Sequence, residues 1–423
     1  MMRSLFSAVS GLRTHQTRMD VIGNNVANVN TPGFKSSRVT FQEVFSQTLR
    51  GAGSPSGEDI DVRGGTNPMQ VGLGVTVGSI DINHSSGNLQ PTSRMSDVAI
   101  EGKGYFVVRD GVQQAYTRVG AFGTDGDGIL VDPEGRKVLG WVLDPATGQL
   151  PPQRPDNQIQ PIKIALGSEM GAEATSTVTW YRNLNSEAPP GTQQEVPFTV
   201  YDSQGGTHAV IITFQKLTPT DPTDPTDPNL NAWGWTASGP AGIAGSGTIK
   251  FDTEGKFDSA GSTGNSISFS PAGVDPISLT LDFSKVTQVA GPSTIDTDII
   301  DGHPTGTLES YTFDSKGLIS GFYSNGQTRI LGQLAIASFP NPSGLQALGK
   351  NLYVESNNSG TVDIGEAGTA GRGTVAPSSL EMSNVDLSEE FTQMIITQRG
   401  FQANSRIITV SDELLAELVN LKR

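Results

Sequence analysis

Two stretches carry spacings used in nucleotide and metal chemistry. Gly344-Leu345-Gln346-Ala347-Leu348-Gly349-Lys350-Asn351 has the glycines and the lysine of a phosphate-binding loop. That loop needs a Ser or Thr hydroxyl after the lysine to hold magnesium, and a helix next, whose N-terminus faces the phosphates. Asn351 stands where the hydroxyl is needed, and Leu352-Tyr353-Val354 reads as a strand. The stretch therefore predicts a turn. Asp125-Gly126-Asp127-Gly128 opens like a calcium loop, but Ile129, Leu130 and Arg136 fall at its fifth, sixth and twelfth positions, where they cannot serve. A β-turn is the reading there too. His15, His84, His208 and His303 share no ligand spacing, and no G-x-S-x-G elbow exists. The acidic residues of Pro219-Thr220-Asp221-Pro222-Thr223-Asp224-Pro225-Thr226-Asp227-Pro228 invite a cation, yet proline holds this repeat extended and without donors, as in a solvated loop. No catalytic residue, metal ligand or cofactor site emerges, and the expectation is a protein that is not an enzyme.

The bulk numbers agree with that. At 423 residues the chain exceeds a single core, so several domains are expected. With 51 Gly and 25 Pro, and only 17% charged residues, it suits many short strands and turns. The net charge of -15 argues against nucleic acid and against an anionic membrane surface. There is no cysteine, so disulfides, zinc thiolates and thiol nucleophiles are excluded. No run reaches transmembrane length, and Met1 to Arg18 lacks the apolar core and cleavage site of a secretory signal. The expectation is no membrane insertion, and no cleaved peptide if the protein leaves the cytoplasm.

The elements that organise the chain are its two ends. Leu387, Phe391, Met394, Gln398, Phe401, Ser405, Ile408, Asp412, Leu415 and Val419 step by four and three, the seam of a coiled coil. Ile395, Leu414, Leu418 and Leu421 widen the stripe. Asp386, three residues before Glu389, reads as a capping box. This predicts a helix of roughly 36 residues, about 54 Å long. At the other end Met2, Leu5, Val9, Leu12, Gln16, Met19, Ile22 and Val26 keep helical spacing until Asn30-Thr31-Pro32-Gly33, where Pro-Gly suits a type II turn. That is a second helix of about 27 residues, about 40 Å. Both exceed the usual globular helix. Two narrow seams bury too few side chains to offset comfortably the entropy of ordering both ends. The expectation is that the ends pair as a coiled coil and are completed by other copies.

Between the ends the pattern is mainly β. Phe41, Val44, Phe45 and Leu49 suggest a short helix, followed by a loop at Gly51 to Gly57. Period-two alternation begins with Val75, Val77, Ile80 and Ile82, and hairpin signals recur to Leu143. A Pro-rich linker follows Asp144. A second β block holds the hairpin Val196–Val200, Ala209–Phe214, and strands like those of the first block return from Thr305. The expected domains are terminal helices at 1–30 with 384–423, connecting segments at 31–71 with 366–383, an inner β domain at 72–145 with 304–365, and an outer β domain inserted at 146–303.

The Asn-rich helix end, from Gly23 to Asn30, reads equally as fraying or as amide bonding between tightly packed helices. It also carries a resemblance. Asn24, Asn25, Asn28, Thr31, Pro32, Gly33, Phe34 and Lys35 belong to the run Gly23-Asn-Asn-Val-Ala-Asn-Val-Asn-Thr-Pro-Gly-Phe-Lys35, preceded by Val9-Ser-Gly-Leu12. With Ser383 to Leu387, Gln398-Arg399, and Asp97 to Val108 followed by Tyr116-Thr117-Arg118, this resembles the bacterial flagellar rod and hook proteins. The insertion between Asp144 and Thr305, Asn183 to Ser186, and Phe339 to Leu345 resemble the hook branch more than the shorter distal rod branch.

The resemblance implies a structural subunit that polymerises into a curved, hollow helical tube, working as a universal joint between rod and filament. The polymerisation seam it implies comprises Leu5, Val9, Leu12, Met19, Ile22 and Val26 with Leu387, Phe391, Met394, Phe401, Ile408, Leu415 and Val419. The implied partners are further copies of the chain, the distal rod protein, the hook cap protein, the hook-filament junction protein and the flagellar export apparatus. The implied location is the flagellum, outside the cell. The other readings are a distal rod protein and, in a different class, a secreted β-rich adhesin or carbohydrate-binding protein. Ligand binding by residues 146–303 would favour the last.

Overall fold

The computed structural model describes residues 2–54, 65–144, 149–152, 154–155, 158–220, 229–239 and 242–421. The Gly51 to Gly57 loop, the linker after Asp144 and the Pro219 to Pro228 repeat lie wholly or partly outside these residues. Both terminal helices form. Helix α1 runs Met2–Ala27 and helix α2 runs Leu387–Asn420. The Asp386 carboxylate accepts from the Ser388 and Glu389 amides and so satisfies donors that the first turn of α2 leaves open. After α1, Phe34 N–H donates to the Thr31 carbonyl at 3.3 Å, and Gly33 sits at φ +69°. Those are the closing bond and the left-handed position of a type II turn, with Pro32 before it. Among the described residues no helix is long and apolar enough to cross a membrane.

The short helix expected from Phe41 to Leu49 does not form. Ser37–Glu43 is a strand, antiparallel to Val75–Ile82 in a register that places Val39 against Ile80, and Ser46–Arg50 pairs with Met69–Gly72. The apolar spacing there fits both periods over so short a window. Pairing of Ser37–Glu43 to the strongly alternating Val75–Ile82 strand, and of Ser46–Arg50 to Met69–Gly72, supplies backbone partners that an isolated two-turn helix would lack.

The chain forms two compact units. The first comprises 1–164, 312–320 and 330–423. Its central sheet interleaves the two halves of the chain. Tyr105–Asp110 pairs with Gln113–Thr117 across the Asp110-Gly111 turn, with Lys137–Val142, and with Ile336–Ser338. Leu352–Val354 adds beside Gln113–Thr117, and Gly140 pairs with Leu334. Tyr105, Val107, Tyr116, Leu139, Trp141, Phe339 and Tyr353 are buried on one another. The Tyr116 and Phe339 rings meet edge to face at 4.8 Å. Returning strands tie the C-terminal approach to this body: Thr374–Pro377 pairs with Val98–Glu101, and Ser379–Glu381 with Leu89–Pro91.

The second unit comprises 165–311 and 321–329. Gln193–Tyr201, Thr207–Lys216, Ala232–Ser238, Gly245–Phe251 and Phe257–Thr263 form a meander. Ser266–Phe269, Ile277–Val289, Thr177–Asn185 and Asp296–Ile300 form a second sheet, in which Thr177–Asn185 and Ile277–Val289 run parallel. Alternate residues of both sheets turn inward to a shared core around Trp180, Trp235, Phe214 and Phe283. At the hairpin expected here, Asp202 Oδ1 accepts from the Gln204 and Gly206 amides, and Oδ2 bonds His208 Nε2 at 2.8 Å.

The two chemistry-like stretches are turns. Asp125 Oδ1 accepts from the Asp127 and Ile129 amides, closing an Asx turn. Gln346–Gly349 and Leu352–Val354 form a hairpin, with Lys350 and Asn351 at φ +52° and +58° between them. Lys350 reaches Glu134, and Asn351 donates to the Pro32 carbonyl at 3.0 Å.

Candidate functional site

Helices α1 and α2 run antiparallel and meet along one stripe of each. On α1 the stripe is Ala8, Gly11, His15, Arg18, Ile22 and Asn25; on α2 it is Glu390, Gln393, Thr397, Gly400, Asn404 and Ser411. The α1 stripe keeps three-and-four spacing throughout, and the α2 stripe does so to Asn404 with one heptad on to Ser411, so the pairing is that of a coiled coil. Its composition is not. A Cβ placed on Gly11 would stand 2.6 Å from Asn404 Nδ2, and one on Gly400 would stand 2.7 Å from the His15 ring. Each glycine thus admits a polar side chain of the other helix. Arg18 donates to Gln393, and Asn25 Nδ2 donates to Glu390 Oε1 at 2.8 Å. Burial pushes the Glu390 carboxyl above its ordinary range, against the opposing pull of the Asn25 amide. Inside the helices Thr14 Oγ1 donates to the Gly11 carbonyl and Thr397 Oγ1 to the Gln393 carbonyl one turn earlier, which leaves their methyl groups for packing.

The apolar seam read from the sequence is only partly covered by this pairing. Ile22 is buried, and Leu5, Leu12, Met19, Val26, Met394, Ile408 and Leu415 are half-buried. Val9, Leu387, Phe391, Phe401 and Val419 remain exposed, Phe391 by 50% and Val419 by 69%. The two helices therefore pair one position away from that seam on α2, through small and polar residues, and turn much of their apolar surface outward. Met2, Phe6, Ile396, Ile407 and Val410 extend the exposed surface; Phe6 is 67% exposed. Sequence reasoning left out Phe6, Ile396, Ile407 and Val410, although a helical projection of all apolar positions contains them.

The Asn-rich end of α1 is ordered by hydrogen bonds. Asn25 is buried, and besides Glu390 it holds Ser37: its amide donates to the Ser37 carbonyl at 2.8 Å, and its oxygen accepts from Ser37 N–H at 3.0 Å. Asn28 Nδ2 donates to the Asn24 carbonyl at 2.9 Å, and Thr31 Oγ1 donates to Asn28 Oδ1 at 3.1 Å. Bonding between packed segments accounts for Asn25, while Asn24, Asn28 and Thr31 bond one another locally along the helix end.

The motif ends in a buried charge cluster. Lys35 Nζ lies 2.6 Å from Glu381 Oε1, with both side chains fully buried, and also donates to the Ser85 carbonyl at 2.7 Å. Arg118 Nη1 lies 3.1 Å from Glu381 Oε2, and its Nη2 donates to the Gly102 carbonyl at 2.8 Å. The Arg118 guanidinium also lies over the Tyr105 ring, 5.2 Å from its centre. Burial lowers the Lys35 ammonium below its ordinary range, more than Glu381 raises it. His84 bonds the Tyr105 hydroxyl through Nδ1 at 2.7 Å. Burial, reinforced by the Lys35 and Arg118 charges, pushes His84 down to about 4, and burial pushes the Tyr353 hydroxyl up to about 12. Lys35 and Arg118 stand in the stretches singled out from the sequence. Glu381 does not: a single acid in Ser379-Leu380-Glu381-Met382 carries no local signal.

Comparison with known proteins adds the following. Residues 5–35 match the family model described as flagella basal body rod protein, and residues 376–421 that described as flagellar basal body rod FlgEFG protein C-terminal. Residues 99–171 match the flagellar hook protein FlgE/F/G D1 domain, and residues 166–303 the flagellar basal body protein FlaE D2 domain. The chain is 41% identical over 455 residues to the flagellar hook protein FlgE of Borreliella burgdorferi, covering 100% of both chains. It is 40% identical over 480 residues to that of Treponema pallidum, again covering 100% of both. The crystal structure of the Helicobacter pylori flagellar hook protein FlgE2 is similar in fold, with a TM-score of 0.53 at 17% identity, over 69% of this chain and 100% of that one.

Proposed function

The chain belongs to the bacterial flagellar hook protein FlgE family, and from that premise we propose that the outward apolar faces of α1 and α2 are where one copy meets the next. It is a structural subunit of the flagellar hook, assembling as a homopolymer in the flagellum. The alternative of a distal rod protein is not favoured: the full-length relatives at 41% and 40% identity carry the hook name, whereas the basal-body rod protein FlgG of Bacillus subtilis, also matched over its full length, is 34% identical.

The observation that carries the proposal is the division of labour on the two helices. Each spends its small and polar stripe on its partner within the chain and leaves Val9, Leu387, Phe391, Phe401 and Val419 exposed. Monomeric chains rarely leave extended apolar surface uncovered, and where they do it marks an interaction site. A contact between different faces of identical subunits does not close on itself and propagates as a helix, which gives a tube. In that tube the helices line the channel and the β units face outward. The joint bends because the inner packing is firm and the outer contacts are more polar. The role is mechanical, with no catalytic step.

The remaining parts of the proposal rest on the family. The division into terminal helices (1–30 with 384–423), connecting segments, inner β domain and inserted outer β domain (146–303) describes the subunit in the tube. The distal rod protein meets the base, the hook cap protein the growing end, and the junction protein the finished end. The flagellar export apparatus delivers the subunit without removing a signal peptide, and neither nucleic acid nor membrane insertion is involved. The net charge of -15 suits a subunit that must stay soluble before assembly. Deleting the gene and imaging basal bodies by electron microscopy tests the reading. Rods that end without hooks are the expected result; normal hooks would refute it.

A further inference from the structure

We infer that Glu381 is a positioning residue that docks the segment leaving α1 and the segment entering α2 on one point of the β body, so that both helices are aimed together. Glu381 makes contact through every oxygen it has. Its carbonyl accepts from Gly33 N–H at 2.8 Å, in the turn that ends the α1 segment. Its Oε1 accepts from Lys35 Nζ at 2.6 Å and from Gly87 N–H at 2.9 Å. Its Oε2 accepts from Arg118 Nη1 at 3.1 Å. Three segments far apart in the chain therefore converge on one carboxylate.

The two linking segments also run side by side beyond it. Ser36 N–H donates to Asn384 Oδ1 at 2.8 Å, and Asn384 Nδ2 donates to the Asn83 carbonyl at 2.8 Å. One step further, Asn25 joins Ser37 to Glu390 of α2. Glu381 sits at the body end of this ladder, where the burial is complete.

The charges explain why the coupling is tight. Two cations and one anion are buried together, so the carboxylate is the shared counter-charge of both cations. Removing it strands Lys35 and Arg118 in a site that water does not reach, whereas an apolar filler would leave both segments without direction. The Lys35 contact belongs to the α1 side, the Arg118 contact to the body, and the main chain of Glu381 to the α2 side. Losing any one loosens a segment that the residue itself does not belong to. That cross-dependence is what separates a positioning role from mere filling of the core.

The inference goes beyond the hook reading and does not depend on it, because the first test uses the isolated full-length subunit. Hydrogen exchange is followed in peptides covering 30–37, 84–91 and 376–386, with 207–216 as control, in Glu381→Leu, Lys35→Met and Lys35→Arg. Exchange at least tenfold faster in all three regions of Glu381→Leu, with the control unchanged, is expected. Lys35→Met, which keeps the length of the side chain but not its charge, should speed exchange in 376–386 as well as in 30–37, and Lys35→Arg should restore protection. Faster exchange confined to the segment that carries the substitution overturns the inference. If Glu381→Leu does not fold, Lys35→Met decides, since it keeps the Glu381–Arg118 pair. Seeded assembly is then measured. Glu381→Leu should elongate at least tenfold more slowly than the parent; an equal rate would remove the claim that aiming matters for polymerisation.

Discussion

Gly11 of α1 lies flush against Asn404 of α2, so close that a Cβ at residue 11 would stand 2.6 Å from the Asn404 amide nitrogen. The mirror arrangement occurs along the same stripe, where Gly400 faces the His15 ring. The helices therefore approach through glycine, with polar side chains as the knobs.

Replacing Gly11 separates helix propensity from helix pairing. Gly11→Leu favours the isolated helix by about 1 kcal/mol, because glycine is a poor helix former. It also drives a side chain into Asn404. The expected outcome is unchanged or higher helicity of the subunit by circular dichroism together with loss of assembly. Gly11→Ala should impair assembly mildly, and adding Asn404→Ala should restore part of it. Normal assembly by Gly11→Leu would mean that the helices do not need this approach.

Charging the outward faces leaves the subunit intact. Phe401 is 38% exposed, so Phe401→Lys should change the stability of the β units by less than about 0.5 kcal/mol. Ile408→Asp acts on the same helix at a half-buried position. Both should abolish polymerisation, read by sedimentation and negative-stain microscopy, while calorimetry of the subunit stays as in the parent. A variant that still forms normal hooks would remove these residues from the contact.

The termini of the isolated subunit should be open to protease. Their apolar faces are uncovered in a single chain, and the stripe between them is small and polar. Brief trypsin treatment should trim residues within 1–30 and 384–423 and leave the β units whole. Polymer treated in the same way should resist. Resistant termini in a monodisperse subunit would contradict completion by neighbouring copies.

Acid should weaken the junction through His84. The imidazole is held down to about 4 from its ordinary 6.5 by burial and by Lys35 and Arg118, with Tyr105 and Tyr353 also against it. The unfolded chain therefore takes up the proton first as pH falls. The contribution of neutral His84 to stability is complete above about pH 6.5, shrinks between about 6.5 and 4, and levels off below. His84→Gln should show a smaller fall in Tm across that window than the parent. Parallel curves would assign the acid sensitivity to other groups.

The second unit depends on its aromatic core. Trp180 is fully buried, with the Phe198 and Phe214 rings edge-on at 5.4 and 5.3 Å. Trp180→Ala should cost about 3–5 kcal/mol, read as a lower denaturation midpoint for the transition of that unit. A change of less than about 1 kcal/mol would mean that the site collapses around the cavity.

Much of the fold is local in origin and was legible. Apolar spacing placed α1 and α2, Asp386 marked a helix start, and Pro32-Gly33 marked a stop, because each acts within a few residues of chain. Hairpin turns at Asp110-Gly111 and around Lys350 were legible for the same reason. Phe41 to Leu49 was not, since so short a window satisfies both helical and strand spacing and the distant Val75–Ile82 and Met69–Gly72 strands decide between them.

By itself the sequence determined that two long helices would each have a face to cover, that β units would lie between them, and that a specific motif would close α1. Only the tertiary structure decided which face meets which. A stripe of glycine, threonine and asparagine is silent in a hydrophobic pattern, yet it makes the closest approach and leaves part of the apolar seam outward. Glu381 was equally silent, because its partner Lys35 is 346 residues away and a charge acquires meaning only from what burial places beside it.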